Sequence, residues 1–387
     1  MDLGPIKIID RWLGSLACLI LGLLNIPFRW KGQIKEAKSI LIIQLWGVGE
    51  TITTLPAIKA FRKRYRNARI DVLATSRNGD VFFGNQDIDK VIELEMGMLS
   101  VLSFIMQNWK KYDLVVDMEE YLNVSALISF FTGHERIGFD HGFRALLYTK
   151  KTIYNDRQHS VFTFMNLAQI VDADAKADKL VPLKYEKKDD METSAFLRKN
   201  RLAKGDFIIG IAPGAAESAG SRKWMKERFA KFADTLLDNY SKKKCRIIFI
   251  GSSDERALVD EIMVMMTHEK NVYNAAGIFT LKQTFALIKK CRAFVGNDSG
   301  PMHIAAAQGV RTLGLFGPNT PARWAPFGKG NAYIYHRESC IHSPCINTHR
   351  GQVPDCLYSK NSTDYQKCMK AITVDNALLA FSKIAKR

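Results

Sequence analysis

The stretch QLWGVGETITTLPAIKAF, from Gln44 to Phe61, joins a short apolar run to a segment with helical spacing. The apolar residues Ile40–Ile43 directly precede it, so the stretch has the form of a strand, a glycine-containing turn and a helix. A dinucleotide-binding fingerprint would need a further glycine where Ile52 stands, and no phosphate-binding G-K-[ST] sequence follows. The turn therefore matches neither of these common nucleotide sites.

The same turn contains one carboxylate. Gly47 and Gly49 precede Glu50, which falls at the start of the predicted helix, where the helix dipole favours an ionised acid. Glu50 is either an acid–base group or only a favourable helix charge, and the spacing leaves both open. Lys59 and Arg62 belong to a basic stripe further along, which is either a solvated face or a guide for an anionic acceptor.

Short apolar runs alternate with helical patterns from Ser39 onward, which is typical of parallel sheets covered by helices. The rhythm begins afresh near Lys204. We therefore predict an α/β protein with two domains around a cleft, whose ligands bind at the carboxyl ends of the strands. The predicted divisions are an apolar and basic N-terminal segment 1–38, a first domain 39–183, a linker 184–203, a second domain 204–335 and a cysteine-containing C-terminal segment with a helix 336–387.

The predicted strands share a short apolar core between turn residues. They are Ile40–Gln44, Ile70–Leu73, Val91–Leu94 and Leu114–Val116 in the first half, and Phe207–Ala212, Arg246–Ile250, Asn271–Asn274, Ala293–Val295 and Thr312–Phe316 in the second. The predicted helices show apolar residues at helical spacing. They are Thr51–Tyr65, Leu99–Trp109, Tyr121–Phe131, Ser160–Val171, Lys226–Tyr240, Glu255–Thr267, Leu281–Lys289 and Pro301–Gln308.

The net charge points to an acidic partner. The 387 residues carry a formal charge of +17. A basic chain of this size binds nucleic acid, an anionic membrane surface or a phosphorylated substrate, or is merely kept soluble by its charge. No compact nucleic-acid motif is present, so we expect no nucleic-acid partner.

The N-terminal run WLGSLACLILGLLNIPF, from Trp12 to Phe28, is apolar but contains glycine, asparagine and proline. It is marginal for a membrane span, which takes about 20 largely apolar residues. The basic residues Arg29, Lys31, Lys35 and Lys38 follow it. An apolar helix followed by cations fits an anchor lying on an anionic leaflet. A helix packed on the protein's own surface and a single span are the alternatives.

Seven cysteines are present. Cys18, Cys245 and Cys291 lie in apolar contexts, which predicts buried thiols. The other four have the spacing C-x4-C-x10-C-x11-C, which differs from the paired C-x2-C pattern of zinc sites. They are Cys340, Cys345, Cys356 and Cys368, for which ordinary packing, a disulfide and a metal site all remain open.

Two loops of the second half have the chemistry of an anion site. Ser221 and Lys223 lie in a long small-residue loop after a predicted strand, where Lys223 can neutralise a diphosphate or simply face water. The segment GNDSGPMHIAAAQGV, 296–310, is a strand end, a turn and a helix start. Its free backbone N–H groups and helix dipole favour an anion. Ser299 can add a hydroxyl donor there.

Three other residues of this segment are candidates. Gly300 lies in the turn, and His303 follows one turn into the helix. Asp298 would repel phosphate, so it is expected to bind sugar hydroxyls or to cap the helix. The structural alternative for the pair is a capping aspartate and a core histidine.

Three segments together resemble glycosyltransferase family 9, the ADP-heptose:lipopolysaccharide heptosyltransferases. They are ILIIQLWGVGETITTLPAIKAFR, the PG…RKWMKERFAKFAD segment and GNDSGPMHIAAAQGVRTLGLFGPNTPARWAPFG. The last is the most specific, because the order of Asp298-Ser299-Gly300, His303, Phe316-Gly317-Pro318 and Trp324-Ala325-Pro326 follows the family. The resemblance covers about Ser39 to the C-terminus.

The resemblance implies a GT-B fold of two Rossmann-like domains with parallel sheets facing a central cleft. The first binds the acceptor and the second the nucleotide sugar. It also implies an inverting transfer without metal or cofactor. Glu50 matches the family's general base, although that residue is usually aspartate. Lys223 matches the lysine near the donor phosphates, residues 298–300 with His303 match the donor loop, and Glu255 matches the nucleoside position more loosely.

The partners that the resemblance implies are an ADP-sugar donor, an anionic glycolipid acceptor and the cytoplasmic face of the inner membrane, bound peripherally. Heptose is the default sugar. A nucleotide-sugar epimerase of GT-B shape would need the same donor loop but no lipid acceptor. A basic protein that binds lipid or nucleic acid without catalysis is the remaining alternative.

Overall fold

The structure is a computed structural model, and it describes residues 10–24, 36–215, 217–347, 349 and 351–385. The chain divides into two compact units. The first comprises Met1–Ala177 with Thr348–Arg350, and the second comprises Asp178–Asn347 with Gly351–Arg387. The end of the apolar run and the basic residues Arg29, Lys31 and Lys35 lie outside the described residues.

The described part of the first unit forms a six-stranded parallel sheet in the order β3-β2-β1-β4-β5-β6. Its strands are β1 (Ser39–Ile43), β2 (Arg69–Ala74), β3 (Lys90–Glu93), β4 (Tyr112–Asp117), β5 (Gly133–Phe139) and β6 (Lys150–Thr152). The central strand β1 reads SILII because helices bury both faces of such a sheet. The chain order reverses between β1 and β4, where Ile43 is paired with Asp117.

The helices of the first unit are α1 (Ser15–Leu24), α2 (Val48–Arg64), α3 (Met98–Gln107), α4 (Asn123–Thr132) and α5 (Ser160–Gln169). A π-helical turn, Asp10–Gly14, leads into α1. The predicted helices are confirmed here, with boundaries shifted by one to three residues. The shifts fall at helix ends, where side-chain periodicity carries little information.

Helix α1 packs on its own unit. Cys18 is fully buried, and a Cβ added to Gly22 would stand 2.4 Å from the Cβ of Leu146. One alternative left open by the sequence was a helix packed on the protein's own surface. That alternative is confirmed for the face of α1 that contains Cys18 and Gly22. Across the residues that the structure describes, we find no helix with the length and apolarity that a membrane crossing requires.

The described part of the second unit forms another six-stranded parallel sheet in the order β12-β11-β10-β7-β8-β9. Its strands are β7 (Phe207–Ala212), β8 (Cys245–Phe249), β9 (Val272–Asn274), β10 (Ala293–Asn297), β11 (Arg311–Phe316) and β12 (Ala332–Tyr335). Here the reversal lies between β7 and β10, where Gly296 is paired with Ala212. Both sheets therefore have the same strand order, and each has one switch point.

The helices of the second unit are α6 (Lys187–Lys199), α7 (Lys226–Asn239), α8 (Arg256–Met265), α9 (Leu281–Lys289), α10 (Gly300–Ala307), α11 (Pro321–Trp324), α12 (Lys367–Lys370) and α13 (Val374–Ala385). The last of them packs on α7, with the Phe381 and Phe232 rings 6.0 Å apart. The core of this unit lies between its sheet and these helices.

The segment 184–203, which we interpreted as a linker, contains helix α6. Its first turn is closed by Asp189, whose carboxylate accepts the N–H of Glu186 at 2.8 Å. Phe196 then packs on Phe279 with the ring centroids 5.3 Å apart. A mostly charged surface helix lacks the wide apolar stripe that marks a helix in sequence, so it was not recognised.

Three strands were not predicted, namely β5, β6 and β12. Strand β5 reads GHERIGF, and its Arg136 is buried because the guanidinium donates to the carbonyl of Leu147 at 2.7 Å. The other two are edge strands of three and four residues. Charged residues and short length both remove the apolar run by which a strand is recognised.

Candidate active site

Glu50 lies at the switch point of the first sheet. The turn after β1 leads directly into α2, which begins at Val48 with Gly47 at its N-cap. Glu50 is half-buried in the first turn of this helix, and its carbonyl accepts the hydroxyl of Thr53 at 2.7 Å. A helix start at the carboxyl end of parallel strands, beside the reversal of strand order, is where open α/β sheets bind ligands.

The turn that carries Glu50 is held by Glu119, a residue that sequence reasoning missed. The buried carboxylate of Glu119 accepts the backbone N–H groups of Leu45 and Trp46, the latter at 3.1 Å. Burial raises the pKa of Glu119 to about 8. The signal was present in the sequence, because the buried strand β4 ends in an acid and two more acids follow it in VDMEE.

A buried ion pair supports the same edge of the sheet. Arg144 donates to the carboxylate of Asp117 at 2.8 Å, and both side chains are almost fully buried. The hydroxyls of Tyr148 and Ser125 donate to the same carboxylate, at 2.6 and 2.8 Å. A buried charge pair with its remaining bonds satisfied fixes geometry, since breaking it would leave an uncompensated charge.

Tyr121 shows that the acids of this edge lie close together. Burial raises its pKa, and the negative charges of Glu50, Glu119 and Glu120 raise it further. Glu120 is itself buried and accepts the hydroxyl of Tyr154. The carboxyl edge of the first sheet is therefore an acidic cluster around one turn, with Glu50 as its half-buried member.

Arg62, which we expected on the acceptor side, lies elsewhere. It follows Glu50 by twelve residues, which is about 18 Å along a helix. Its guanidinium pairs with Asp89 at 2.5 Å and donates to the carbonyl of Ala68 at 2.7 Å, at the opposite edge of the sheet. Arg62 therefore holds the loops before β2 and β3, and we remove it from the acceptor site. Lys59 is exposed on the same helix and stays a prediction.

Asn297 organises the switch point of the second sheet, and it too was missed. Its side-chain NH₂ donates to the carbonyl of Pro213 at 2.8 Å and to that of Gly214 at 3.2 Å. Its carbonyl oxygen accepts the N–H of Trp224 at 3.1 Å. One buried amide thus joins the end of β10 to both ends of the loop after β7.

The segment that the sequence predicts to be a donor loop follows Asn297. Ser299 is the N-cap of α10, Gly300 begins the helix, and Pro301 occupies its first turn. The Ser299 hydroxyl donates to the carbonyl of Asn297 at 3.3 Å, and its side chain makes no capping bond. Pro301 has no N–H, and the N–H of Met302 is donated to the carbonyl of Ser299 at 3.2 Å, so Ser299 and Gly300 are the residues whose backbone N–H groups, with the helix dipole, suit an anion at this helix start.

Asp298 is buried and does not cap the helix, in contrast to one of its two expected roles. Its carboxylate accepts the amide of Asn319 at 2.7 Å and lies 3.5 Å from the guanidinium of Arg222. The arginine offsets the carboxylate charge that would otherwise repel a phosphate. Arg222 stands beside Lys223 in the same loop, which the sequence predicts to lie at the mouth of the cleft.

The remaining predicted donor residues fall into three places. Glu255 lies at the ends of β7 and β8, where a Cβ on Gly214 would stand 1.7 Å from its carboxylate. Ser221 is buried, with its N–H donated to Asp355 at 2.9 Å, whereas Lys223 is half-buried. His303 is buried beneath the loop, its ring 6.1 Å from that of Trp324.

A model of the family described as glycosyltransferase family 9 (heptosyltransferase) matches residues 107–350, which is more than half of the chain. The chain belongs to glycosyltransferase family 9. Lipooligosaccharide heptosyltransferase 2 of Haemophilus ducreyi is 28% identical to it over 311 residues, which cover 75% of this chain and 86% of that protein. Lipopolysaccharide heptosyltransferase 2 of Escherichia coli is 26% identical over 314 residues, covering 73% and 83%.

Solved structures show the fold of this family 9 chain. The structure of Escherichia coli ADP-heptose lps heptosyltransferase II is 22% identical, with a TM-score of 0.69 over 90% of this chain and 98% of that chain. A family 9 glycosyltransferase from Veillonella parvula is 20% identical, with a TM-score of 0.75 over 91% and 98%. The protein is therefore a glycosyltransferase with the GT-B fold.

The cysteines of this family 9 enzyme are all free thiols. Cys18, Cys245 and Cys291 are buried, as predicted. Of the later four, Cys340 and Cys368 are buried and Cys345 and Cys356 are half-buried. Within the described ranges, the His, Cys, Asp and Glu side chains form no group of three or more that could hold a metal ion.

Proposed function

We propose that this enzyme transfers heptose from ADP-heptose to a lipopolysaccharide-core or related glycolipid acceptor, with inversion at the anomeric carbon. One observation carries the proposal. Each sheet has its own switch point, and the two carry complementary groups. The first has the half-buried carboxylate of Glu50, and the second has the open helix start at Ser299 and Gly300. The heptosyltransferase names of the relatives support the choice of sugar and acceptor.

The acceptor half of the reaction is assigned to the first unit. Glu50 accepts the proton of the acceptor hydroxyl as the oxygen attacks the anomeric carbon. The new carbon–oxygen bond forms on the face opposite the leaving group, so the configuration inverts. Glu119 serves as a positioning residue, because its carboxylate holds the backbone of Leu45 and Trp46 at the start of the turn.

The donor half is assigned to the second unit. The bond from the anomeric carbon to the diphosphate breaks, and ADP leaves with the electron pair. Lys223 and the N–H groups at the start of α10 stabilise the growing negative charge without a metal in this proposal. Arg222 adds a cation held 3.5 Å from Asp298. Glu255, at the neighbouring strand ends, is assigned to the nucleoside.

We place the reaction at the cytoplasmic face of the inner membrane, with the enzyme bound peripherally. The support is the apolar helix α1, the formal charge of +17 and relatives named for lipooligosaccharide and lipopolysaccharide. An acceptor with a lipid anchor is presented only at a membrane surface, so an enzyme that binds there meets it at high local concentration.

The test is transfer by the purified full chain from ADP-heptose to heptose-deficient core lipopolysaccharide, followed by ADP release and by the mass of the acceptor. The expected result is one added heptose, the same rate in EDTA, and thermal stabilisation by ADP but not by UDP, GDP or CMP. Stabilisation by another nucleotide alone would overturn the donor assignment. Turnover lost in EDTA and restored by a divalent cation would overturn the metal-free mechanism.

A further inference from the structure

Three neighbouring helices of the first unit contain no charged residue, the surface helices α1 and α3 and, between them, α4, whose residues are all buried or half-buried. Helix α1 reads SLACLILGLL, α3 reads MLSVLSFIMQ and α4 reads NVSALISFFT. The whole chain is 25% charged, so helices of this combined length would be expected to hold about seven charges. Helices that cover a soluble domain normally place charges on their outer side.

The three helices form one continuous surface because α4 lies between the other two. Leu127 and Phe130 of α4 pack against a buried cluster that contains Cys18 of α1. On its other side, α4 packs against α3, with Phe131 beside the buried residues of that helix. Trp109, just after α3, joins this contact, with its ring centroid 5.1 Å from that of Phe131.

The outward side chains of this surface are large and apolar. Around α1, the most exposed are Trp12 at 71%, Leu13 at 64% and Leu24 at 67%. Around α3, the most exposed are Met98 and Leu99, both at 78%, and Met106 at 76%, and Trp109 after the helix is exposed at 59%. We call the surface formed by α1, α3, α4, Trp12 and Trp109 the apolar face. Contiguous exposed apolar surface of this kind marks a site of interaction.

Cations border the apolar face. Arg11 is exposed beside Trp12, and Lys111 is exposed two residues after Trp109. Lys38, also exposed, lies next to Lys111, because the hydroxyl of Ser39 donates to the Lys111 carbonyl at 3.4 Å. In sequence, the basic residues Arg29, Lys31 and Lys35 follow α1.

Few acidic residues lie near these cations in the segments that form the apolar face. Asp10 is adjacent to Arg11, but its carboxylate accepts the N–H groups of Asn123 and Val124 at 2.9 and 2.7 Å. Two exposed acids stand near these cations in sequence, Glu95 shortly before α3 and Glu36 two residues before Lys38, and the cations named above outnumber them. The border is therefore mainly cationic, which is complementary to an anionic surface.

We propose that the apolar face lies on the surface of an anionic lipid bilayer, with α1, α3 and Trp109 in the headgroup region. Apolar helices flanked by cations bind at this depth through buried apolar area and attraction to anionic lipids. Tryptophan favours the same region because its ring is apolar and its N–H is polar. The inference rests on the proposed function, and it names the surface that such an enzyme would use.

The apolar face adjoins the candidate base. Helix α4 begins at Asn123, four residues after Glu119, whose carboxyl group accepts the N–H of Trp46 in the turn that leads to Glu50. Asp10, which leads into α1, bonds to the start of α4 as well. A lipid-anchored acceptor whose tail remains in the bilayer would thus present its sugar beside the turn that carries Glu50.

The test is cosedimentation of the full chain with two kinds of vesicle. One consists of phosphatidylcholine alone, and in the other about 30% of the lipid is the anionic phosphatidylglycerol. Two double variants remove apolar side chains. One is Leu13→Ser in the turn before α1 with Leu24→Ser at the end of α1, and the other is Leu99→Ser with Met106→Ser on α3. The matched control is Val264→Ser with Ile341→Ser, two exposed apolar residues of the second unit. We expect tight binding only to anionic vesicles, weaker binding at high salt, and at least tenfold weaker partition for both double variants but not for the control.

Vesicle binding that the α1 and α3 variants leave unchanged would overturn the proposal. A second outcome would also overturn the proposal. If the original chain does not bind vesicles but forms dimers in solution, and these variants are monomers, the apolar face is assigned to a second copy of the chain. ADP binding by calorimetry separates this outcome from the proposed function. Normal ADP binding with unchanged vesicle binding removes only the docking surface. If the chain does not bind ADP but its vesicle binding is weakened by the variants, only the donor assignment is removed.

Discussion

Single residues decide the chemistry at each switch point, and each acts through neighbours that are distant in sequence. Glu50 stands on a turn whose backbone is held by Glu119, and the donor loop is joined to the loop after β7 by Asn297. In both places one side chain would react or bind, and a buried polar side chain fixes the backbone beneath it. Buried polar groups with all bonds satisfied give such rigidity.

Glu50→Gln tests the base directly. The amide keeps the size of the side chain but cannot accept a proton, so transfer should fall by a factor of about 10² to 10⁴. ADP affinity should stay unchanged, because the nucleotide is assigned to the second unit. Glu95→Gln, an exposed acid of the first unit, is the control and should transfer at the original rate. Turnover of Glu50→Gln near that of the original chain would remove the base assignment.

Glu119 predicts a pH dependence of stability. Its pKa is about 8 in the folded chain against an ordinary value of 4.5, so between these values the folded state holds one more proton than the unfolded state. The free energy of unfolding should then fall as pH rises from about 4.5 to about 8, by up to about 1.4 kcal/mol per pH unit from this group. Glu119→Gln, which has no proton to lose, should flatten this slope in urea titrations across that range. An identical slope in the variant would show that Glu119 is ionised in the fold.

Gly214→Ala tests the position of Glu255. The added Cβ would stand 1.7 Å from the Glu255 carboxylate, the flexible end of a side chain, so the carboxylate moves while stability changes little. We expect at least tenfold weaker ADP binding by calorimetry, at about 1.4 kcal/mol for each factor of ten. Gly205→Ala is the matched control, because a Cβ there meets nothing within 4 Å. Unchanged ADP affinity in Gly214→Ala would remove Glu255 from the nucleoside site.

At the level of elements, helix ends carry the function and helix faces carry the packing. The starts of α2 and α10 each follow the carboxyl end of a central strand, at the reversal of strand order. The start of α4 is instead occupied, because Asp10 accepts its first two N–H groups. The helix dipole thus has a different neighbour at each of these three starts. It meets the carboxylate of Glu50 at α2, is proposed to meet an anion at α10, and meets the carboxylate of Asp10 at α4.

Asp10→Ala should loosen the N-terminal helix from the first unit. It removes two bonds at the start of α4, and such a cap is worth about 1–2 kcal/mol. We expect the first transition in urea unfolding of the full chain to move to lower denaturant, together with faster proteolysis within residues 10–24. Asp174→Ala, an exposed acid of the same unit, should change neither. A midpoint unchanged by Asp10→Ala would show that α1 is held by its apolar packing alone.

At the level of the whole molecule, two units with the same strand order divide the proposed reaction. Each has its own sheet and core, and the acid and the anion-binding groups lie in different units. Binding of the nucleotide by one unit should therefore be measurable without the acceptor. This division follows from the two switch points rather than from any one motif.

Hydrogen exchange with and without ADP tests the division. Protection should appear at the loops around residues 213–224, 251–255 and 297–303, and the turn at 44–50 should exchange as before. At about 100 times its dissociation constant, ADP should also stabilise the second unit by about 2.7 kcal/mol. Protection centred on the 44–50 turn would instead place the nucleotide in the first unit.

Much of the architecture follows from local sequence. The strand Phe207–Ala212 and the helix Leu281–Lys289 were predicted to the residue, because each has an unbroken apolar run or stripe between clear end signals. The turn with Glu50 and the loop from Asp298 to Gly300 were also identified, since glycine and proline mark turns and helix starts. Family membership followed from the same segments.

Only the tertiary structure decided which of these residues meet. The sequence by itself determined two α/β units, the acid at the first turn and the helix start that we propose to bind an anion. Strand order, the Glu119 bond to the turn, the Asn297 bridge and the place of Arg62 at the far end of α2 came from the folded chain. The physical reason is range, because periodicity reports on the burial of a face within one element. Hydrogen bonds between buried polar side chains and distant backbone leave no periodic trace in the sequence.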